Sequence, residues 1–174
     1  GATVLKPPCT GTISVAGRDP VPLVGLNDKA RLNGLSVSFP AAGWAWTTAP
    51  AVFLIVDPEG DGLAAPTGRL RGRVERVIAA GDRFRVPPGR VVVTGQGDRA
   101  TELSATPVDS IVDLRWSLDG FDGSKYEHAI GGGPFLLRGG EVAVDAADEG
   151  FPASFSDAKH PRSAIGVTAT GEIW

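Results

Sequence analysis

The chain has 174 residues, a formal net charge of -3, and 24 glycines with 14 prolines. So many residues that interrupt regular structure exclude a helical bundle. The acidic balance argues against nucleic acid, or an anionic membrane, as the main partner. The only cysteine is Cys9, so no disulfide can form within the chain. Methionine is absent even at residue 1, and we therefore expect processing or truncation upstream.

Short apolar runs bounded by turn residues follow one another along the first half, which is typical of a β-rich domain. Residues 12–15 and 35–39 alternate between apolar and polar side chains. Residues 52–56 are apolar on both faces and lie between two prolines, which predicts a central strand buried between two layers. Residues 69–80 fit both helical and strand spacing, and Gly72 favours a strand.

The second half continues the same pattern. Residues 98–103 fit one or two helical turns, and residues 111–118 form an amphipathic strand with Val112, Leu114 and Trp116 on one face. Further strands are predicted at 91–93, 126–130, 135–137, 141–144 and 164–168, with turns at 138–140 and 170–171. The fold class expected is α+β and β-dominated, with mixed or antiparallel sheets and few short helices. No run reaches the roughly 18 apolar residues of a membrane span, and no signal-peptide pattern is present.

Acidic residues are grouped in three places, but none of the groups selects a catalytic pair. Two carboxylates are the usual machinery of glycoside hydrolysis, yet Asp-Gly steps are also ordinary turn chemistry. Two of the groups lack the full spacing of a calcium loop, so we assign no metal, and the residues identify no cofactor. The groups are Asp109, Asp113, Asp119, Asp122 and Glu127 near His128; Asp57, Glu59 and Asp61; and Asp145, Asp148 and Glu149.

Two segments carry the chemistry that we weigh most heavily. Gly131, Gly132 and Gly133 leave backbone N–H groups uncovered, which allows a close approach to a phosphate or sugar; a bulge or tight corner is the alternative. The segment 159–163 combines His160, Arg162 and a serine hydroxyl around a rigid proline, which suits an anionic substrate or a plain surface turn. Separately, Trp44 and Trp46 lie in a stretch that we interpret as loop-like, where they either stack on a sugar ring or fill a core edge.

These two segments resemble the phosphodiester glycosidase family. The residues that carry the resemblance are Gly-Gly-Gly-Pro-Phe-Leu-Leu at 131–137 and His-Pro-Arg-Ser-Ala-Ile-Gly at 160–166. Weaker likeness extends back to about residue 23. Ser163 replaces the threonine usual in the family and keeps its hydroxyl. The resemblance implies that Arg162 binds a phosphodiester anion, that Gly131, Gly132, Gly133 and Ser163 contact the substrate, and that His160 is the acid or base.

Family segments of the types Asn-Gly-x-Phe-Phe, Asp-Gly-Arg and Leu-Asp-Gly-Gly-Gly-Ser are not found in these 174 residues. We therefore expect residues 1–174 to be a single domain that is an incomplete, central part of a phosphodiester glycosidase domain. A second chain or segment would then complete the site. The resemblance also implies a secreted or cell-envelope location.

The function expected for the complete domain is hydrolysis of a glycosyl phosphodiester whose sugar is similar to N-acetylglucosamine. The partner is then a carbohydrate phosphodiester substrate, with no nucleic acid and no membrane span. The alternative is a non-catalytic, β-rich module of the cell envelope that binds glycans or a protein.

Overall fold

The computed structural model describes residues 9–60, 67–118, 132–149 and 151–174. The described residues fall into two compact bodies, one formed by residues 9–118 and the other by residues 132–174. We call them the barrel body and the C-terminal body and describe each by itself.

The barrel body is a closed barrel of seven strands with a separate two-stranded ribbon. Around the barrel the strand order is β1-β2-β3-β8-β5-β6-β9, and the ribbon pairs β4 with β7. Strands β2 and β3 are parallel, and the other described pairs are antiparallel. The strands are β1 (Cys9–Val15), β2 (Val21–Leu26), β3 (Leu35–Ser38), β4 (Trp44–Trp46), β5 (Ala51–Pro58), β6 (Gly68–Ala80), β7 (Arg83–Arg85), β8 (Val91–Gln96) and β9 (Ile111–Leu118).

Strand β5 is buried on both faces, as its uninterrupted apolar run predicts. Val52, Leu54 and Val56 point into the barrel interior, where they pack with side chains from β1, β3, β6, β8 and β9. Ala51 and Phe53 point the other way, into a second apolar cluster that includes residues of β4 and β8. Strand β5, which is apolar at every position from 51 to 56, thus lies between two cores.

A β-bulge in β6 explains why residues 69–80 fit two kinds of spacing. The pairing register with β5 slips by one residue, so Glu75 has no partner between Val74 and Arg76. Val74 lies in the barrel interior, and Val77, three residues later, packs against the same cluster. The three-residue step imitates a helical period, but the segment is one continuous strand.

Arg90 connects the bulge to β5 through two carboxylates. Its Nε is 2.6 Å from Glu75 Oε2, and its Nη1 is 2.9 Å from Asp57 Oδ1. The hydrogen bond to Glu75 raises the pKa of the Arg90 guanidinium. These groups lie at the surface, where ion pairs stabilise a fold only weakly.

Helix α1 (Asp98–Ser104) connects the end of β8 to β9 and packs against the barrel. Leu103 is fully buried and belongs to the interior cluster. The backbone of Gly95 lies directly beneath the helix, because a Cβ there would be 2.9 Å from both the Arg99 carbonyl oxygen and Leu103 Cδ1. Glycine at 95 therefore allows α1 to lie close to β8, and the Leu103 side chain packs in the barrel interior.

The C-terminal body contains short elements joined by turns. Strands β10 (Leu137–Arg138) and β11 (Glu141–Val142) form a hairpin, and α2 (Ala153–Ser156) is a single helical turn. The hairpin turn uses Gly139 and Gly140, both with positive φ, where glycine has no steric cost. Val167 pairs with Ile173, closing a second hairpin through residues 168–172.

The structure confirms a β-dominated α+β fold with mixed and antiparallel sheets and few short helices. Residues 44–46, interpreted as loop-like, form strand β4 instead. The strand predicted at 126–130 lies outside the described residues. None of the described helices is long and apolar enough to cross a membrane.

Truncating Leu103 should destabilise the barrel. We expect Leu103→Ala to lower the free energy of unfolding by about 3 kcal/mol, because it removes a buried side chain and leaves a cavity between α1 and the barrel. The measurement is urea denaturation followed by circular dichroism. Thr101→Ala, at an exposed position of the same helix, is the control and should change stability by less than about 0.5 kcal/mol. Equal effects of the two substitutions would contradict this packing.

Candidate functional site

Arg162 is held in one orientation by the chain that precedes it. Its Nη2 donates hydrogen bonds to the carbonyl oxygens of Phe155, at 2.5 Å, and Ala158, at 3.3 Å. Its guanidinium carbon lies 3.9 Å from the centre of the Phe155 ring, within cation–π distance. Among the described residues, Arg162 Nε and Nη1 have no acceptor and no carboxylate forms an ion pair with it. Within the described part of the chain, the Nε and Nη1 hydrogens of this fixed cation therefore have no protein acceptor.

Two phenylalanine rings connect Arg162 to the glycine-rich segment. The ring centres of Phe155 and Phe151 are 5.0 Å apart. Phe151 in turn packs against Gly133, where an added Cβ would lie 2.7 Å from the ring. The two segments singled out from the sequence are thus linked by continuous packing. Close packing against Phe151 explains glycine at 133 in a way that the sequence did not indicate, and the substrate contact expected there stays a prediction.

Glu149 contacts the same glycine-rich segment. Its Oε1 accepts a hydrogen bond from the Phe135 backbone N–H at 3.0 Å. The turn before it is closed by Asp145, whose side chain accepts from the Asp148 N–H and whose carbonyl accepts from the Glu149 N–H. Asp145 therefore shapes a turn, and Glu149 fixes the backbone beside Gly133.

The other predicted site residues have fewer contacts. His160 and Ser163 are exposed, and their side chains make no hydrogen bond within the described part of the chain. Gly132 has open space around its Cα, so neither φ nor crowding requires glycine there. Gly131 lies outside the described residues. The roles proposed for these residues in binding and catalysis remain predictions.

The acidic groups are only partly described. Asp113 lies 3.6 Å from Arg69 and 3.9 Å from Arg71, so its carboxylate belongs to a surface ion network of the barrel body. Asp109 occupies a turn with positive φ. Asp119, Asp122, Glu127 and His128 lie outside the described residues. Within the described ranges, no three His, Cys, Asp or Glu side chains converge as metal ligands.

Comparison with protein families settles the class of the chain. The model of the phosphodiester glycosidase family matches residues 67–174, which is more than half of the chain. The chain belongs to the phosphodiester glycosidase family. The matched range includes both the 131–137 and the 160–166 segments that carry the resemblance, whereas the weaker likeness before residue 67 lies outside it.

One solved structure supports the fold. A hypothetical protein from Synechocystis matches with a TM-score of 0.62 and 16% sequence identity, over 95% of this chain and 29% of that chain. At this identity the similarity concerns the fold alone. The chain spans less than a third of the length of that protein. No curated protein matches the chain.

The aromatic and acidic neighbours of the site were not identified from the sequence. Phe155 lies on α2, which is too short to be predicted from periodicity, and Phe151 precedes that helix. Glu149 was noted only as part of an acidic group. Its contact with Phe135 depends on the turn at residues 145–149, which becomes visible only in the structure.

Adjacent glycines provide a direct test of this packing. Gly133→Ala should push the new methyl group into the Phe151 ring, whereas Gly132→Ala should be accommodated in open space. We expect amide exchange of residues 145–158 to become at least about tenfold faster in Gly133→Ala, which corresponds to about 1.4 kcal/mol of lost local stability. Hydrogen–deuterium exchange with mass spectrometry gives the measurement. Similar exchange in the two variants would show that Gly133 is not packed as described.

Proposed function

We propose that the protein takes part in the hydrolysis of a glycosyl phosphodiester whose sugar is similar to N-acetylglucosamine. Family membership supports the reaction class. The observation that carries the proposal is the state of Arg162, a cation fixed by two carbonyls and an aromatic ring, whose Nε and Nη1 hydrogens have no acceptor among the described residues.

A phosphodiester carries one negative charge and presents two non-bridging oxygens. The Nε–H and Nη1–H groups of Arg162 face different sides of the planar guanidinium, and each can donate a charge-assisted hydrogen bond to a phosphate oxygen. Because Arg162 is already oriented by Phe155 and Ala158, little side-chain entropy remains to be lost on binding. Its charge would also offset the negative charge of the phosphate during bond cleavage.

The remaining roles follow the family resemblance. The backbone N–H groups of Gly131, Gly132 and Gly133 would line the pocket beside the anion, and the Ser163 hydroxyl would donate a further hydrogen bond. His160 would transfer the proton, since histidine exchanges protons near neutral pH. One water molecule is added across the cleaved ester bond, and the products are the free sugar and a phosphate monoester.

We further propose that additional residues complete this site and that the protein acts in the cell envelope or is secreted. Several apolar side chains of the C-terminal body are exposed, with Val142 at 82%, and further protein would cover them. Activity is therefore best measured both on the 174-residue chain and on the product of the complete reading frame. Sugar release from neither would favour the alternative, a non-catalytic glycan-binding module.

Replacing Arg162 should abolish most of the activity. In an assay of sugar release from N-acetylglucosamine 1-(methyl phosphate), we expect Arg162→Ala to lower kcat/KM about 100- to 1,000-fold, the range found when one fixed stabiliser of an anionic transition state is removed. Arg162→Lys keeps the charge but loses the separate Nε–H and Nη1–H donors of the planar guanidinium, so its activity should lie between that of Arg162→Ala and that of the unmodified protein.

Arg138→Ala is the matched control. Arg138 also stacks on a phenylalanine, Phe135, at 3.9 Å, but it lies outside the His-Pro-Arg segment. Its replacement should change kcat/KM less than about twofold. Unchanged activity in Arg162→Ala would remove Arg162 from the site, and full activity in His160→Gln would remove His160 from the mechanism.

A further inference from the structure

The ribbon formed by β4 and β7 has its large side chains on the side away from the core. Ala45 is completely buried in the second apolar cluster, while its neighbours Trp44 and Trp46 point outward and are 39% and 41% exposed. Core packing would favour the opposite arrangement, with the large side chains inside and the small one outside. Two indole rings at the surface are therefore not explained by the stability of the fold.

The backbone beneath the two indoles is fixed on both sides. Along one edge β4 pairs with β7, and the Thr47 N–H and Val86 N–H extend the ladder to the Asp82 and Gly43 carbonyls. Along the other edge the Ala30 N–H donates to the Trp46 carbonyl at 2.9 Å. A ligand that contacts the rings would meet a preorganised surface.

Two arginines of β7 share this face. Arg85 pairs across the ribbon with Trp44, and Arg83 pairs with Trp46. The Arg83 guanidinium lies 5.2 Å from the centre of the Trp44 ring and 5.8 Å from that of Trp46, and the ring centres are 6.2 Å apart. Neither arginine forms an ion pair with any carboxylate in the described part of the chain. We call Trp44, Trp46, Arg83 and Arg85 the Trp–Arg surface.

We propose that the Trp–Arg surface binds an anionic glycan, a chain of pyranose rings that carries phosphate or carboxylate groups. The C–H face of a pyranose is apolar and packs on an indole, while the ring hydroxyls remain in water. Arg85 and Arg83 supply the positive charge for the anionic group and hydrogen bonds to its oxygens. This binding does not require the hydrolysis proposed for the C-terminal body.

A glycan fits this surface better than a nucleic acid does. A single-stranded nucleic acid needs a positively charged groove that follows several phosphates, whereas this chain has a net charge of -3 and this surface has only two arginines. The two indoles are also inclined to each other by 47°, so they do not form one flat stacking platform. Membership of a family that acts on glycosyl phosphodiesters agrees with a sugar ligand.

The test is affinity electrophoresis in gels that contain polygalacturonate, phosphomannan or dextran. Polygalacturonate has no phosphodiester, so its binding is independent of the proposed reaction. We expect the two anionic polymers to retard the protein and neutral dextran to have little effect. Retardation by only one anionic polymer would show which anion is recognised and would support the proposal. Trp44→Ala with Trp46→Ala should weaken binding at least about tenfold, and Arg85→Ala about fivefold.

Two substitutions serve as controls for exposed aromatic and cationic side chains. Trp174 is 81% exposed and Arg138 stacks on a phenylalanine, and both lie in the C-terminal body. Trp174→Ala and Arg138→Ala should bind like the unmodified protein, and circular dichroism should show that every variant is folded. The proposal would be overturned by unchanged binding in the Trp44 and Trp46 variant, by equal retardation in dextran, or by tighter binding of oligothymidylate through the same residues.

Discussion

The burial of β5 on both faces is the constraint on which the barrel body depends. Its inner face contributes Val52, Leu54 and Val56 to the barrel interior, and its outer face contributes Phe53 to the cluster that supports the β4–β7 ribbon. The ribbon is therefore attached to the barrel through its buried face. Its opposite face is free to present side chains that the core does not need, and the Trp–Arg surface lies there.

The C-terminal body uses a different means of fixing a side chain. It has no extensive core among its described residues, and Arg162 is instead oriented by a ring and two carbonyls from the preceding ten residues. The Phe155 ring packs on Phe151, which in turn packs against Gly133. Such local support can fix one cation accurately, but it encloses little space, which agrees with our proposal that further residues complete the site.

The pattern of apolar and polar residues predicted strands β5 and β9, because burial determines which side chains each face of these strands carries. The uniform apolar run of β5 and the alternation of β9 are both confirmed, because each strand lies against cores that its own sequence specifies. The bulge at Glu75 was not predictable, since the slip depends on pairing with a distant strand. The strand that contains Trp44 and Trp46 was not predictable either, since it is defined by pairing with β7, which is distant in the sequence. The family segments made Arg162 a candidate, but its contact with Phe155, seven residues earlier, is visible only in the structure.

The most direct test of the central claim is whether Arg162 meets the anion. With ¹⁵N-labelled arginine, the Nε–H resonances of Arg162 and Arg138 can be assigned by substitution and followed during titration with N-acetylglucosamine 1-(methyl phosphate). We expect a saturable shift of the Arg162 resonance while that of Arg138 stays in place. A titration that moves neither resonance, or moves both equally, would contradict the assignment of Arg162 as the phosphodiester-binding residue.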